Sequence, residues 1–340
     1  MKSVRRPLDH RHTYQRRILL QSLSLAACLP WALPSMAQTQ GADFPTRPIK
    51  LIVPNAPGSS VDTIGRLVGG QLATVAGMAN FVDNKAGAAG ALGVDTGKTA
   101  APDGYSLIVA SSSAMTVAPL LQKGVTYDPL KDFEFVTLVA LLPSVLVCNP
   151  ALKIETVADL IAFAKANPGK TNMASAGPGS ASHLAGVTLT VAGGFESLHV
   201  PYKGGSQSVA SVVSGETHWT LTPAPAAMAL VKGGRLRALG HSLAKGTRPL
   251  GSVPAIADSI AGFEYGSWIG LMAPKGLPVA VGDKLRKAWG TAMQQASLRE
   301  AFEANGAIPT ASTADEYRAM ATRDMEQNRK VIQVAGLKAE

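Results

Sequence analysis

Asn172-Met-Ala-Ser-Ala-Gly-Pro-Gly-Ser-Ala-Ser-His-Leu-Ala-Gly186 is the stretch that decides the fold. A short apolar run, Thr171 to Ala174, enters a loop of Gly177, Pro178, Gly179 and Ser180. Helical spacing then follows through Leu184, Val187 and Leu189. A strand that empties through small residues into a helix presents backbone N–H groups and the positive end of a helix dipole, which hold an anion without a cationic side chain. The same order recurs in Leu51-Ile-Val-Pro-Asn-Ala-Pro-Gly-Ser-Ser-Val-Asp62. Two such loops in one chain predict a carboxylate gripped between them.

Outward from these loops the chain keeps alternating. Apolar runs at 49–53, 106–110, 171–174, 198–200, 217–221 and 236–239 read as buried strands. Helical stretches at 61–75, 157–166, 182–191 and 206–213 lie between them, the second opened by Thr156 with Asp159 and stopped by Asn167-Pro168-Gly169. This grammar predicts an α/β fold with mixed, mostly parallel sheets covered on both faces. The segments 135–147 and 263–272 are too extended for the rhythm and are predicted to cross between two domains. The first domain is then discontinuous, 38–142 plus 263–340, and the second is 143–262. The tail reads as helices over 279–298 and 313–334.

The chain has 340 residues and a formal charge of +9, which raises the question of nucleic acid. The charge is concentrated at the start: Lys2, Arg5, Arg6, Arg11, Arg16 and Arg17 stand against Asp9. Beyond residue 37 no basic block with interleaved aromatics occurs, so no nucleic-acid partner is expected. Arg16-Arg17, the apolar run from Ile18 to Leu33 and Ser35-Met36-Ala37 form a signal peptide over 1–37. Gln21, Pro30 and Pro34 break that run and disfavour a permanent membrane span. Export to the periplasm is predicted by the general secretory route, with the twin-arginine route as the alternative. Leu25-Ala26-Ala27-Cys28 resembles a lipobox, so lipid anchoring at Cys28 is the alternative to cleavage after Ala37. Cys148 is then the one remaining cysteine and is expected to be a buried apolar side chain.

Several motifs reduce to structure. Gly97-Lys98-Thr99 imitates a P-loop end, but Leu92 stands where the first glycine is required. No Gly-x-Ser-x-Gly elbow surrounds any serine, so Ser180 reads as a helix cap rather than a nucleophile. The histidines show no metal spacing. His183 is expected to bond structurally or to touch ligand, and Asp62 either to complement its helix dipole or to shape the loop beside the ligand. Ser111-Ser112-Ser113 ends a buried strand, where ligands of parallel sheets sit. Tyr202-Lys203-Gly204-Gly205-Ser206 is another strand-to-helix turn.

Taken in order, seven landmarks give a resemblance. They are Phe44-Pro-Thr-Arg-Pro-Ile-Lys-Leu-Ile-Val-Pro54, Pro57-Gly58 with Asp62, Ala101-Pro-Asp-Gly-Tyr-Ser-Leu107 and Tyr127-Asp-Pro-Leu-Lys-Asp-Phe133. Ser180-x-x-His183-Leu184, His199-Val-Pro-Tyr-Lys-Gly204 and Gly233-Gly-Arg-Leu-Arg-Ala238 complete the set. Across essentially the whole mature chain the sequence resembles the periplasmic substrate-binding proteins of tripartite tricarboxylate transporters, the Bug or TctC-type family. The resemblance implies a two-domain Venus-flytrap fold that closes on a small carboxylate and hands it to transmembrane permease subunits. Dicarboxylates, citrate, acidic amino acids and aromatic acids are all ligands within such a family. In it the anion is held by backbone amides and waters of the two loops, here 55–62 and 175–183.

The candidate ligand-binding residues are therefore Asn55, Ala56, Gly58, Ser59, Ser60 and Asp62 in the first loop, and Ser111 and Ser112 after the third predicted element. Ser175, Gly177, Gly179, Ser180 and His183 come from the second loop, followed by Lys203, Gly204 and Thr222. Three departures from the family pattern stand out: Ser59-Ser60 after Pro57-Gly58, Pro178 in the second loop, and Thr222-Pro223 where many relatives carry Asp-Asn. No catalytic residue, metal or cofactor is expected, and the chain is expected to be a monomer. A ligand-sensing partner of a signalling receptor is the alternative function, and a periplasmic hydrolase using His183 the third.

Overall fold

Strands buried on both faces read as unbroken apolar runs, and helices must cover those faces. A computed structural model describes residues 43–247, 249–334 and 336–339. The predicted signal peptide and Cys28 lie outside the described residues. The strands are β1 (Ile49–Val53), β2 (Asn80–Asn84), β3 (Ser106–Ser111), β4 (Phe133–Cys148), β5 (Asn172–Ser175), β6 (Leu198–Pro201), β7 (Trp219–Pro223), β8 (Arg237–His241), β9 (Gly266–Pro274) and β10 (Ile308–Pro309). The helices are α1 (Ser60–Ala76), α2 (Ala91–Lys98), α3 (Ala118–Leu121), α4 (Val157–Ala166), α5 (Ala181–Gly193), α6 (Gly205–Ser214), α7 (Met228–Lys232), α8 (Val279–Ala292), α9 (Ala296–Ala304) and α10 (Ala314–Val334).

The strands run in the order β2-β1-β3-β9-β4-β7-β5-β6, with β10 and β8 also paired to β4. Pairings at both outer ends are parallel, β1 with β2 and β3, and β5 with β6 and β7. Those around β4 and β9 are antiparallel. The long apolar segment expected to cross is one strand of 16 residues, about 50 Å of chain. Its first part, Phe133–Pro143, pairs with β9, and Ser144–Cys148 pairs with β7. One strand thus serves two lobes.

Period-two alternation sorts each strand's side chains between two cores. Leu107 and Val109 face α1, α8 and α9, whereas Ile108 and Ala110 face α2, α3 and Tyr317 of α10. In the other lobe Leu146 and Cys148 pack with α4 and α5, and Val145 and Val147 with α6. Cys148 is fully buried, and burial pushes its thiol up to about 11, as expected of an inert apolar filler.

Local signals explain the boundaries. Thr156 and Asp159 form a reciprocal capping box on α4, and Asn167 closes its end. The false P-loop end has a packing reason. A Cβ on Gly97 would lie 2.3 Å from Ile108, so the glycine lets α2 sit on β3. Lys98 pairs with Asp132 at 2.9 Å rather than facing solvent alone. The tail helix expected over 279–298 is broken after Ala292, so that α9 can turn Phe302 onto Trp289.

Candidate functional site

Both small-residue loops fold by the same local rule. Gly58 has φ +75°, and Ser59 then caps α1, its Oγ accepting the Asp62 N–H at 3.3 Å. Gly179 has φ +74°, and Ser180 caps α5, its Oγ accepting the His183 N–H at 3.2 Å. The left-handed turn needs glycine, and each cap is worth about 1 kcal/mol.

These caps bring helix starts to a common cavity of about 50 Å³, room for a few waters and hence for a carboxylate head. Ser60 and Val61 of α1, Ala181 and Ser182 of α5, and Gly205 of α6 line it. First-turn amides have no acceptor within their own helix, so they are available to an anion. Eight serines are among the lining residues, including Ser111, Ser112 and Ser113 at the end of β3. Leu142 and Trp268 supply apolar wall, and no charged side chain among the described residues lines the space. Asn55 lines it too, and its Oδ1 is buried without a hydrogen-bond partner. Such an atom is costly unless something bound satisfies it.

The lobes meet around this cavity. Ser60 Oγ donates to the Pro223 carbonyl at 3.3 Å, Ser206 Oγ to Pro57 at 3.4 Å and the Gln122 amide to Pro178 at 3.2 Å. Ala176 also lines a second, larger recess of about 500 Å³, with Gly87, Ala88, Gln122, Pro178 and Lys203. Among the described residues Lys203 is the one charged residue lining it.

Of the residues selected from sequence, Asn55, Ser59, Ser60, Ser111, Ser112, Ser180 and Thr222 line the inner cavity. Gly177 and Lys203 line the outer recess. Gly204 backs onto the Ala56 side chain across the lobes, 3.3 Å from where a Cβ would stand. The remainder shape the loops. Gly58 N–H donates to Asp62 Oδ2 at 2.9 Å, Gly177 N–H to Ser175 Oγ at 3.0 Å and Gly179 N–H to His183 Nδ1 at 3.1 Å. The amides of Gly58, Gly177 and Gly179 are therefore already engaged within their own loops.

Asp62 is buried and turned to Arg66 (3.0 Å) and the Asn84 amide (2.9 Å). Burial alone would raise its pKa, but Arg66, the Gly58 N–H and Asn84 hold the carboxyl below its usual range. His183 stacks on His199 with ring centroids 4.1 Å apart, and Ser175 Oγ lies 2.6 Å from His199 Nε2. Burial, with the neighbouring His199, pushes the His183 pKa down to about 4, so the ring is neutral and its Nδ1 free to accept.

Other lining residues escaped the sequence reading. Ser113 belongs to the serine triplet, and Ser182 follows the Ser180 cap, so serine clustering at element ends was the usable signal. Ser267 and Trp268 lie on β9, which pairs only within the first lobe's sheet although 263–272 was expected to cross, and they reach the cavity beside Leu141 and Leu142 of β4. No local pattern marks them.

A closed, two-lobed α/β molecule with helix N-termini aimed at a charge-free cavity is a solute-binding protein of the periplasmic type. The model of the tripartite tricarboxylate transporter family receptor, TctC, matches residues 64–337, and the chain belongs to that family. Its members are receptors, not enzymes. Among relatives, BugT of Bordetella pertussis is 33% identical over 87% of this chain and 91% of its own. The solved structure of R. palustris Rpa4515 with adipate is 28% identical, with a TM-score of 0.85 over 88% of this chain and 100% of that one. MatC of Rhodopseudomonas palustris with bound malate is 26% identical, with a TM-score of 0.78 over 85% and 100%.

Proposed function

We propose that this chain is exported to the periplasm by cleavage after Ala37, captures a small carboxylate between its lobes and delivers it to transmembrane permease subunits. The lobes are residues 38–142 with 263–340, and residues 143–262. The single observation that carries the reading is a cavity where three helix N-termini and eight serine side chains converge without any charged side chain. Each N-terminus favours an anion by about 0.3–1 kcal/mol. Preset neutral donors then replace the water that the carboxylate loses. Asn55, Ser59, Ser60, Ser111, Ser112, Ser180 and Thr222 hold the carboxylate head. The rest of the ligand runs past Ala176 into the outer recess, where Lys203 meets a second negative group. Adipate in one neighbour and malate in another fit this division of the site. Ligand contacts to both lobes favour the closed state over the open one.

Thermal-shift and calorimetric screening with adipate, malate, citrate, glutamate and benzoate tests this. At least one acid raises Tm and binds with measurable heat. No response to any acid in a fully folded, ligand-stripped preparation would overturn the reading. Mass determination of the chain recovered from the periplasm checks the cleavage site.

A further inference from the structure

Behind the cavity wall, Thr116 Oγ1 is caught between three polar groups. It lies 2.8 Å from the Ser112 carbonyl, 2.8 Å from Asp324 Oδ2 and 2.9 Å from the Asn328 amide nitrogen that donates to it. A threonine hydroxyl has one proton and two acceptor positions. The Ser112 carbonyl can only accept, so it and an ionised Asp324 would compete for that single proton. With a proton on Asp324 Oδ2 every group is satisfied. Asp324 and Asn328 donate to Thr116, and Thr116 donates to Ser112. The Trp268 indole N–H also reaches Asp324 Oδ2, at 3.2 Å.

We propose that Asp324 is a neutral carboxylic acid acting as a positioning residue. Its proton fixes the Ser111–Ser113 turn through Thr116, and its oxygen fixes Trp268, two parts of the cavity wall supplied by different strands. Thr116 is fully buried and Asn328 nearly so. Burial raises the Asp324 pKa, opposed by its bonds to Thr116 and Trp268, and no cation contributes. Of the titratable groups around it, the Tyr265 phenol before β9 interacts with Asp324 and is itself raised by burial. Tyr317, which packs edge-on against Trp268, and Tyr127, which bonds to the Ala114 carbonyl of the turn, are likewise buried phenols that stay neutral. The proton thus stays on Asp324 above the pH at which an exposed aspartate, with a pKa of about 3.9, loses it.

The test needs no ligand. A carboxyl whose folded pKa is raised contributes stability that is full below the unfolded pKa and lost as pH rises through the folded one. Asp324→Asn places a permanent donor for Thr116 at the position of Oδ2, at the expense of the Trp268 N–H, which meets the same atom. Relative to the wild type its Tm should be lowest at pH ~4 and climb as pH rises toward the folded pKa of Asp324, by about 2–4 °C overall. Isotope-edited carboxyl NMR or infrared spectroscopy of the wild type should show one neutral carboxylic acid above the titration of the other carboxyls, and that signal should be absent in Asp324→Asn. A Tm deficit for Asp324→Asn that is largest at neutral pH would overturn the proposal, as would an Asp324 signal that titrates with the exposed aspartates. If the variant does not fold, the wild-type spectrum alone decides.

Discussion

Asp62 and His183 hold equivalent places in two copies of one turn. Each lies four residues beyond a left-handed glycine and accepts that glycine's N–H, at 2.9 Å from Gly58 and 3.1 Å from Gly179. One copy uses a carboxylate and the other a neutral imidazole, and both leave the following helix start open toward the cavity. The glycines shape the turns that open each helix.

The imidazole makes the second turn sensitive to acid. Because the His183 pKa is depressed to about 4, its contribution is full above the unfolded value of ~6.5 and is lost as pH falls toward 4. Protonation also removes the acceptor for the Gly179 N–H. His183→Asn can present an amide oxygen in place of Nδ1, so its Tm should fall less steeply between pH 6.5 and 4 than that of the wild type. Parallel melting curves over that window would show that His183 does not govern the acid limb.

The carboxylate turn should fail differently. Asp62→Ala strands the Gly58 N–H, leaves the Asn84 amide only the Asn55 carbonyl and releases half-exposed Arg66. Losing the acceptor for partly buried donors costs about 1–3 kcal/mol, read as a lower urea midpoint. Asp62→Asn, which keeps an acceptor oxygen, should recover part of that loss.

Thr222 tests whether charge neutrality matters in the cavity. Thr222→Asp adds a fixed anion to a space lined by no cation. At ~5 Å and an effective dielectric of ~20, repulsion of a bound carboxylate is about 3 kcal/mol. Calorimetry with whichever acid binds the wild type best should register roughly hundredfold weaker affinity. Unchanged affinity would place the ligand's charge elsewhere.

Gly270 is a packing requirement on the strand that carries Trp268. A Cβ there would lie 2.4 Å from the fully buried Tyr317 ring, which has no flexible end to move aside. Gly270→Ala should therefore cost about 1–3 kcal/mol, measured by denaturant unfolding. Tyr317→Phe in the same background should not relieve the clash, because Cε1 is as close as Oη.

What could be read beforehand followed burial. Strands β1 and β3 are apolar over 51–53 and 107–110 because both faces are covered there, and α4 announces itself through its capping box. Strand β2, Asn-Phe-Val-Asp-Asn, carries neither an apolar run nor a buried face, and only its pairing with β1 makes it a strand. The site divides likewise. Ser180 was legible as a helix start, since capping is local, whereas the matching cap at Ser59 was read only as a turn residue. That Gly177 and Gly179 would spend their N–H groups on Ser175 and His183 depended on side-chain directions that residue order does not carry.

Strand β4 has a consequence for how this molecule can be taken apart. Because Phe133–Pro143 belongs to one lobe's sheet and Ser144–Cys148 to the other's, cutting the chain there does not liberate two domains. It tears a shared plank and leaves each fragment with a bare, apolar sheet edge primed to aggregate. Neither lobe can be exchanged for a foreign module without rebuilding the strand they own in common.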